Sequence, residues 1–265
     1  MFSYNTLKTF KNGGLTMSYI GVTGFSKREE VSAALEAYKG NNRKLMVGVL
    51  ATWKSLRGIP MKPIWAKQTP DPQDIKNIFI DDARALNLVH FSTEEGQEHS
   101  IADDMLAIHR LGGEHIHGFQ LNMTWPSIDQ LRTYKEKVSG ECYIVLQIGR
   151  HAVESAGTPF MVSSILTEYR GVVDAILLDS SGGRGKPFDA ERARHILLAI
   201  RDKMDDIGLG VAGGLGPHSL DLLEPLLTDF PDINIDAQGR LRNEENELDS
   251  RLVRFYIYKA SLLLA

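Results

Sequence analysis

Ala175-Ile176-Leu177-Leu178-Asp179 is the stretch on which the reading of the fold turns. Four consecutive apolar residues with no polar alternation describe a strand covered on both faces, as in a parallel sheet wrapped by helices. The run stops abruptly at an acid. On either side of it the same unit recurs along the chain: a short apolar run rich in β-formers, a polar or glycine-containing loop, then a segment with helical period. Strands are expected over residues 19–22, 44–50, 87–91, 117–121, 142–148, 175–178, 208–212 and 233–236. Helices are expected between them, over 27–37, 101–111, 128–138, 190–203, 220–228 and 248–264. Eight strands alternating with helices predict an α/β fold of the (β/α)8, or TIM-barrel, kind. An open dinucleotide-binding sheet would carry a glycine fingerprint in its first βα turn, and none follows Ile20.

One domain is expected over residues 18–265, with residues 1–17 as an N-terminal extension that ends where Met17-Ser18-Tyr19 meets the first strand. Residues 51–82, with prolines at 60, 63, 70 and 72, form an overlong βα connection of the kind that serves as a lid or binding loop, or as inert decoration. The 265 residues are 43% hydrophobic and 24% charged, enough to bury a core and too mixed for disorder. A net charge of −4 lacks the basic footprint of a nucleic-acid binder. No apolar run reaches the roughly 20 residues that span a bilayer, so no membrane partner is expected. The lone Cys142 excludes an intrachain disulfide and a cysteine-rich zinc site, which suits a reducing cytoplasm. Association of the chain with itself is left open.

Chemistry gathers where strands end. In a barrel of this kind the C-terminal ends of strands carry the site, so Asp179, at the boundary of an apolar run, is either a functional acid or a cap for the loop after it. The loop from Ser180 to Asp189 is rich in glycine, which lets backbone N–H groups approach an anion. Val211-Ala212-Gly213-Gly214-Leu215-Gly216-Pro217 is a second glycine-rich strand end leading toward a helix, the usual place of a phosphate site in such barrels. His90 and His151, near strand ends, are secondary acid–base candidates. His115 and His117 form an HxH pair without a third ligand at a suitable spacing, so neither a metal nor a cofactor is expected.

LLDSSGGRGKPFD at 177–189 and AGGL at 212–215 resemble the paired motifs of the phosphoribosylanthranilate isomerase family. Looser matches at Gly24–Val31, at Lys54-Ser55-Leu56-Arg57 and at Gln120-Leu121-Asn122 extend the likeness over most of the barrel. The resemblance implies an Amadori rearrangement, a step of tryptophan biosynthesis: a phosphorylated aminoaldose opens, loses a proton from C2 and becomes an aminoketose. It implies that Asp179 is the general acid, that Arg57, Gln120, Gly182 and Gly183 contact the substrate with Arg57 on its carboxylate, and that Gly213, Gly214 and Gly239 bind phosphate. The family's base is a cysteine at the end of strand one. Here that position holds Thr23, an alcohol that stays protonated at neutral pH. Strand eight also departs: Ala237-Gln238-Gly239 stands where the family has serines, and Arg240 or Arg242 could take over part of the phosphate grip. With Thr23 as the only residue at the base position, slow or absent turnover of phosphoribosylanthranilate is expected. Another sugar-phosphate isomerase, epimerase or lyase on the same scaffold, or a barrel that binds such a ligand without reacting it, are the competing readings.

Overall fold

The computed structural model describes residues 17–40, 42–97, 100–140, 142–179 and 188–265. Gly182 and Gly183, and residues 1–16 of the expected extension, lie outside the described residues. Eight parallel strands close into a barrel in sequence order. They are β1 (Tyr19–Thr23), β2 (Lys44–Thr52), β3 (Ala85–Ser92), β4 (Gly118–Asn122), β5 (Tyr143–Gly149), β6 (Ala175–Asp179), β7 (Gly208–Ala212) and β8 (Asn234–Ala237). Closure is made where Ile20, Gly21 and Val22 of β1 stand opposite Ile235, Asp236 and Ala237 of β8.

The period of two in each strand sorts side chains into two separate apolar clusters. Tyr19, Met46, Leu86, Leu88, Tyr143, Val145, Ala175 and Leu177 pack together with no helical residue among them, and so fill the lumen. Their strand neighbours Ile20, Val22, Val47, Val49, Ile176 and Leu178 pack outward against helical residues such as Val31, Leu35, Ile196, Leu197 and Ile257. This is why β6 reads as unbroken apolar sequence: alternate residues are buried in different cores.

The larger outer helices are α1 (Arg28–Ala37), α5 (Ile101–Gly112), α6 (Ile128–Lys137), α7 (Arg150–Ala156), α8 (Pro159–Thr167), α9 (Ala190–Arg201) and α11 (Ser250–Leu263). Side-chain oxygens cap several of them: Asp189 accepts from Arg192 N, Thr158 from Met161 N, and Asp249 from both Arg251 N and Leu252 N. The helix expected over 220–228 is two shorter pieces, a 3-10 turn Leu220–Leu223 and a single turn α10 (Glu224–Leu227). Pro225 explains the break, because it donates no backbone hydrogen bond and its ring obstructs the preceding turn. The long connection after β2 carries α2 (Trp53–Leu56), α3 (Pro63–Ala66), a 3-10 turn Pro72–Asp74 and α4 (Ile75–Ile78).

That connection reaches the loop after β8. Gln68 donates to Asn246 Oδ1 at 3.0 Å, Gln238 donates to Gln68 Oε1 at 2.8 Å, and Asn246 donates to Ile64 O at 2.7 Å. At the other end of the barrel Arg43 is buried and donates to the carbonyls of Ile233 (2.6 Å), Pro231 (2.6 Å) and Leu264 (3.2 Å). One side chain thus ties the entry of β2 to the entry of β8 and the end of α11. Among the described residues no helix is long and apolar enough to cross a membrane.

Candidate active site at the C-terminal end of the barrel

Toward the C-terminal ends of the strands the lumen changes from apolar to polar. Thr23, His90, Gln120, Gln147 and Asp236 are buried here, and Asp179 is half-buried. Register places Asp179 beside Ala212 and Ala212 beside Asp236, so the two acids sit on the same level of the wall with one methyl side chain between them. With strands about 4.8 Å apart, their Cα atoms are separated by roughly 9–10 Å across the curved sheet.

Amides connect the two acids. Gln120 Nε2 donates to Asp236 Oδ2 and to Gln147 Oε1, both at 3.0 Å, and Gln147 Nε2 donates to Asp179 Oδ2 at 3.0 Å. The Thr23 hydroxyl donates to Asp236, 2.8 Å from Oδ2 and 3.0 Å from Oδ1. Burial pushes the Asp236 carboxyl up to about 6, while hydrogen bonds from Gln120 and Thr23 pull the other way and the nearby Asp179 adds to the rise. His90, whose Nε2 lies 3.3 Å from Asn122 Nδ2, is pushed down to about 4 by burial and is neutral at pH 7. Among the described residues His90 Nδ1 and Gln120 Oε1 are buried without a hydrogen-bond partner.

Two glycines make room for this arrangement. A Cβ at Gly21 would stand 2.8 Å from Asp236 Oδ1, and one at Gly48 would stand 2.6 Å from Thr23 Oγ1. Neither space is compatible with a side chain unless the carboxylate or the hydroxyl moves.

Beyond β7, Gly213 (φ 91°) and Gly214 (φ 76°) adopt the left-handed conformation that favours glycine. Ser219 stiffens the turn, donating to Gly214 O at 2.9 Å and accepting from Gly216 N at 3.1 Å. Gly239 opens a short 3-10 turn beyond β8, where a Cβ would meet nothing within 4 Å. The two loops touch: a Cβ on Gly216 would lie 2.7 Å from Arg240 Cβ. Arg242 is turned away from this contact, its guanidinium donating to Gly24 O and Asn246 O.

Arg57 is engaged elsewhere. Its Nη2 and Nη1 contact Asp104 Oδ1 at 2.8 Å and Oδ2 at 3.3 Å, and the guanidinium lies 4.4 Å from the centroid of the Trp53 ring. His115 sits in a 3-10 turn outside β4, and His117 Nδ1 accepts from Asn87 N at 2.8 Å, so the two are not paired along a strand. Among the described residues no group of three or more His, Cys, Asp or Glu is arranged to hold a metal ion. Cys142 is buried, with its sulfur 3.1 Å from the Tyr134 hydroxyl, and burial raises its thiol to about 12.

Of the residues singled out in the sequence, Asp179, Thr23 and Gln120 are joined through one network, and Gly213, Gly214 and Gly239 lie on the loops beside it. Sequence reasoning passed over Asp236 and Gln147. Asp236 ended an expected strand just as Asp179 followed one, and that same signal would have found it.

No family model matches the sequence, and no curated protein matches it. Solved structures do resemble it. Phosphoribosyl anthranilate isomerase from Thermus thermophilus superposes with a TM-score of 0.62 at 13% identity, over 93% of this chain and 100% of that one. A phosphoribosyl anthranilate isomerase in complex with reduced 1-(o-carboxyphenylamino)-1-deoxyribulose 5-phosphate gives 0.59 at 17% identity, over 92% and 99%. Monomers of the dimeric enzyme from Thermotoga maritima give 0.58 at 18% identity, over 92% and 99%. At such identities the likeness is one of fold: the chain is a closed (β/α)8 barrel of the shape those isomerases share.

Proposed function

We propose that this barrel isomerises a phosphorylated aldose to the ketose, in the manner of the phosphoribosylanthranilate isomerases, with Asp179 as the general acid. The observation that carries the reading is the convergence at one end of the barrel: Asp179 ends β6, Gly213-Gly214 follow β7, and Gly239 follows β8. A sugar phosphate held by backbone N–H groups of the β7 and β8 loops would lay its ring over the polar lumen. Gln120 would hold the open-chain hydroxyls, Gly182 and Gly183 would line the substrate, and Arg57 would receive an acidic aryl group by exchanging Asp104 for it. The proposal includes no metal, cofactor, nucleic acid or membrane partner, and places the protein in a reducing compartment such as the cytoplasm, where the buried Cys142 stays a thiol.

The Arg57–Asp104 pair favours a second reading within the same class. A substrate without the aromatic carboxylate would leave that ion pair intact. Both readings are tested with purified protein by following the fluorescence of phosphoribosylanthranilate and by melting curves with the reduced product analogue or with ribulose 5-phosphate. Turnover above the uncatalysed rate and a rise in melting temperature with the analogue are expected for the first. A rise with ribulose 5-phosphate alone selects the second, and no response to either sugar phosphate refutes both.

A further inference from the structure

A base is required on the face of the sugar from which C2 loses its proton, and the side chain at position 23 cannot be one. Thr23 is an alcohol, and its only proton is already directed at Asp236. Burial of the lone thiol, away from the lumen and held well above neutral, removes Cys142 as well. His90 is neutral and sits on β3, opposite Leu50 and Gln120 rather than either acid.

We propose that Asp236 is the proton acceptor of this barrel, and that Thr23 and Gln120 are positioning residues that hold its carboxylate. The inference rests on the isomerase reading above. Four features of the geometry carry it. Asp236 stands on the level of Asp179 with only Ala212 between them, leaving the width of a sugar between acid and base. Gly21 and Gly48 are vacated for the carboxylate and for the hydroxyl that holds it. Among the described residues the donors to Asp236 are Thr23, Gln120 and the backbone of Ala237, fewer than the roughly four lone-pair positions of a carboxylate, so an accepting position remains. Gln120 Oε1 is buried beside it with no hydrogen-bond partner among the described residues, an acceptor suited to a substrate hydroxyl.

The reaction then balances within the substrate. Asp179 protonates the ring oxygen as the C1–O bond breaks, and the amine lone pair forms a C=N bond to C1. Asp236 takes the C2 proton, the C2–H electron pair becomes a C1=C2 double bond, and the C=N pair returns to nitrogen. The enolamine ketonises when C1 gains a proton and the C2 hydroxyl loses one. C2 is oxidised, C1 is reduced, and no outside redox partner enters.

Titratable groups facing Asp236 are Asp179 from β6, Tyr19 from β1 and Tyr256 from α11, with burial the chief influence on its proton. A rate governed by Asp236 should therefore rise with pH with a midpoint near 6. The test uses the full chain with phosphoribosylanthranilate as substrate and the reduced product analogue as binding probe. Asp236→Asn should bind the analogue as wild type does and lose about 10²–10⁴-fold in kcat. Thr23→Val should lower turnover and move the pH midpoint upward, because the hydrogen bond that holds the charged form is lost. Wild-type turnover kept by Asp236→Asn overturns the assignment of the base and leaves the isomerase reading standing. A wild type that neither binds the analogue nor turns over overturns the reading and this assignment with it. If Asp236→Asn does not fold, the wild-type profile decides: a flat rate between about pH 5 and 8 refutes Asp236 as the base.

Discussion

Asp236 is costly to the fold in the state the proposed chemistry needs. Its folded carboxyl holds a proton up to about 6 against an ordinary 3.8, so the folded protein binds that proton more tightly than the unfolded chain. Its contribution to stability is fullest below about pH 4 and is lost as pH rises through 6, a loss of about 3 kcal/mol from a shift of roughly two units. Asp236→Asn should therefore raise the melting temperature at pH 8 and leave it little changed at pH 4. His90 runs the opposite way: its folded imidazole is lowered to about 4 from 6.5, so its contribution is present above 6.5 and lost as pH falls toward 4. Over about pH 4 to 6 the two contributions run in opposite directions and nearly cancel, so the wild-type melting temperature should change little there, while Asp236→Asn should show the His90 rise alone. Arg57 separates by kinetics: as a substrate ligand, Arg57→Ala raises KM, and as a partner of Asp104 alone it lowers only the melting temperature. Legibility at this scale depended on contrast. Asp179 breaks an unbroken apolar run and is conspicuous. Asp236 follows Asn234 in an alternating strand, a pattern ordinarily produced by a solvated face; here that face is the lumen, with Asn234 Oδ1 accepting from Tyr19 N at 2.7 Å.

At the scale of elements, β1 is shaped by what it must admit. Gly21→Ala would set a methyl 2.8 Å from Asp236 Oδ1 and from Met46 Cε, and 2.9 Å from the carbonyl of Ile235. The backbone oxygen cannot swing away as a side chain can, so the substitution should cost about 1–3 kcal/mol in chemical denaturation. It should also displace the carboxylate, and misplacement of a reacting group by about 1 Å can cost about 10²-fold in rate. Strands such as β2 and β6 were legible because two-sided burial writes short apolar runs into the sequence, whereas β8 is four residues long and alternates. The 220–228 segment was misread as one helix because its apolar period continues through Pro225, and period alone does not register the missing N–H. The short turns between β2 and β3 were unreadable for another reason: each is three or four residues long, below the length at which helical period can be distinguished.

Across the whole molecule, the two ends of the barrel are fastened by different means. At the closed end Arg43 gathers three backbone carbonyls from residues distant in sequence. Hydrogen bonds to a charged donor contribute about 1.5–3 kcal/mol each when buried, though not additively, so Arg43→Ala should destabilise by about 2–5 kcal/mol in urea unfolding. Because Arg43 lies opposite the polar rim, kcat should be unchanged in the fraction that remains folded. At the open end the long connection after β2 is fastened to the β8 loop by side-chain amides. The proline-rich sequence announced an insertion, but its partner in space could not be read, since no local pattern specifies a contact between residues 68 and 238.

The join between β8 and β1 also fixes when the site can exist. Asp236 and Thr23 are separated by most of the chain, and their hydrogen bond spans 213 positions in sequence. Contacts so remote in sequence demand the largest loss of chain entropy and form slowly. β8, only four residues long, gains both neighbours only when β7 and β1 already flank its place. In a refolding experiment with pulsed hydrogen exchange, β8 amides should be among the last to gain protection, and binding of the reduced product analogue should return with them rather than with the bulk of helical signal. A growing chain on the ribosome would then carry Asp179 long before Asp236 could stand beside it, and a truncated or half-folded barrel would lack the pair of acids on which the proposed chemistry depends.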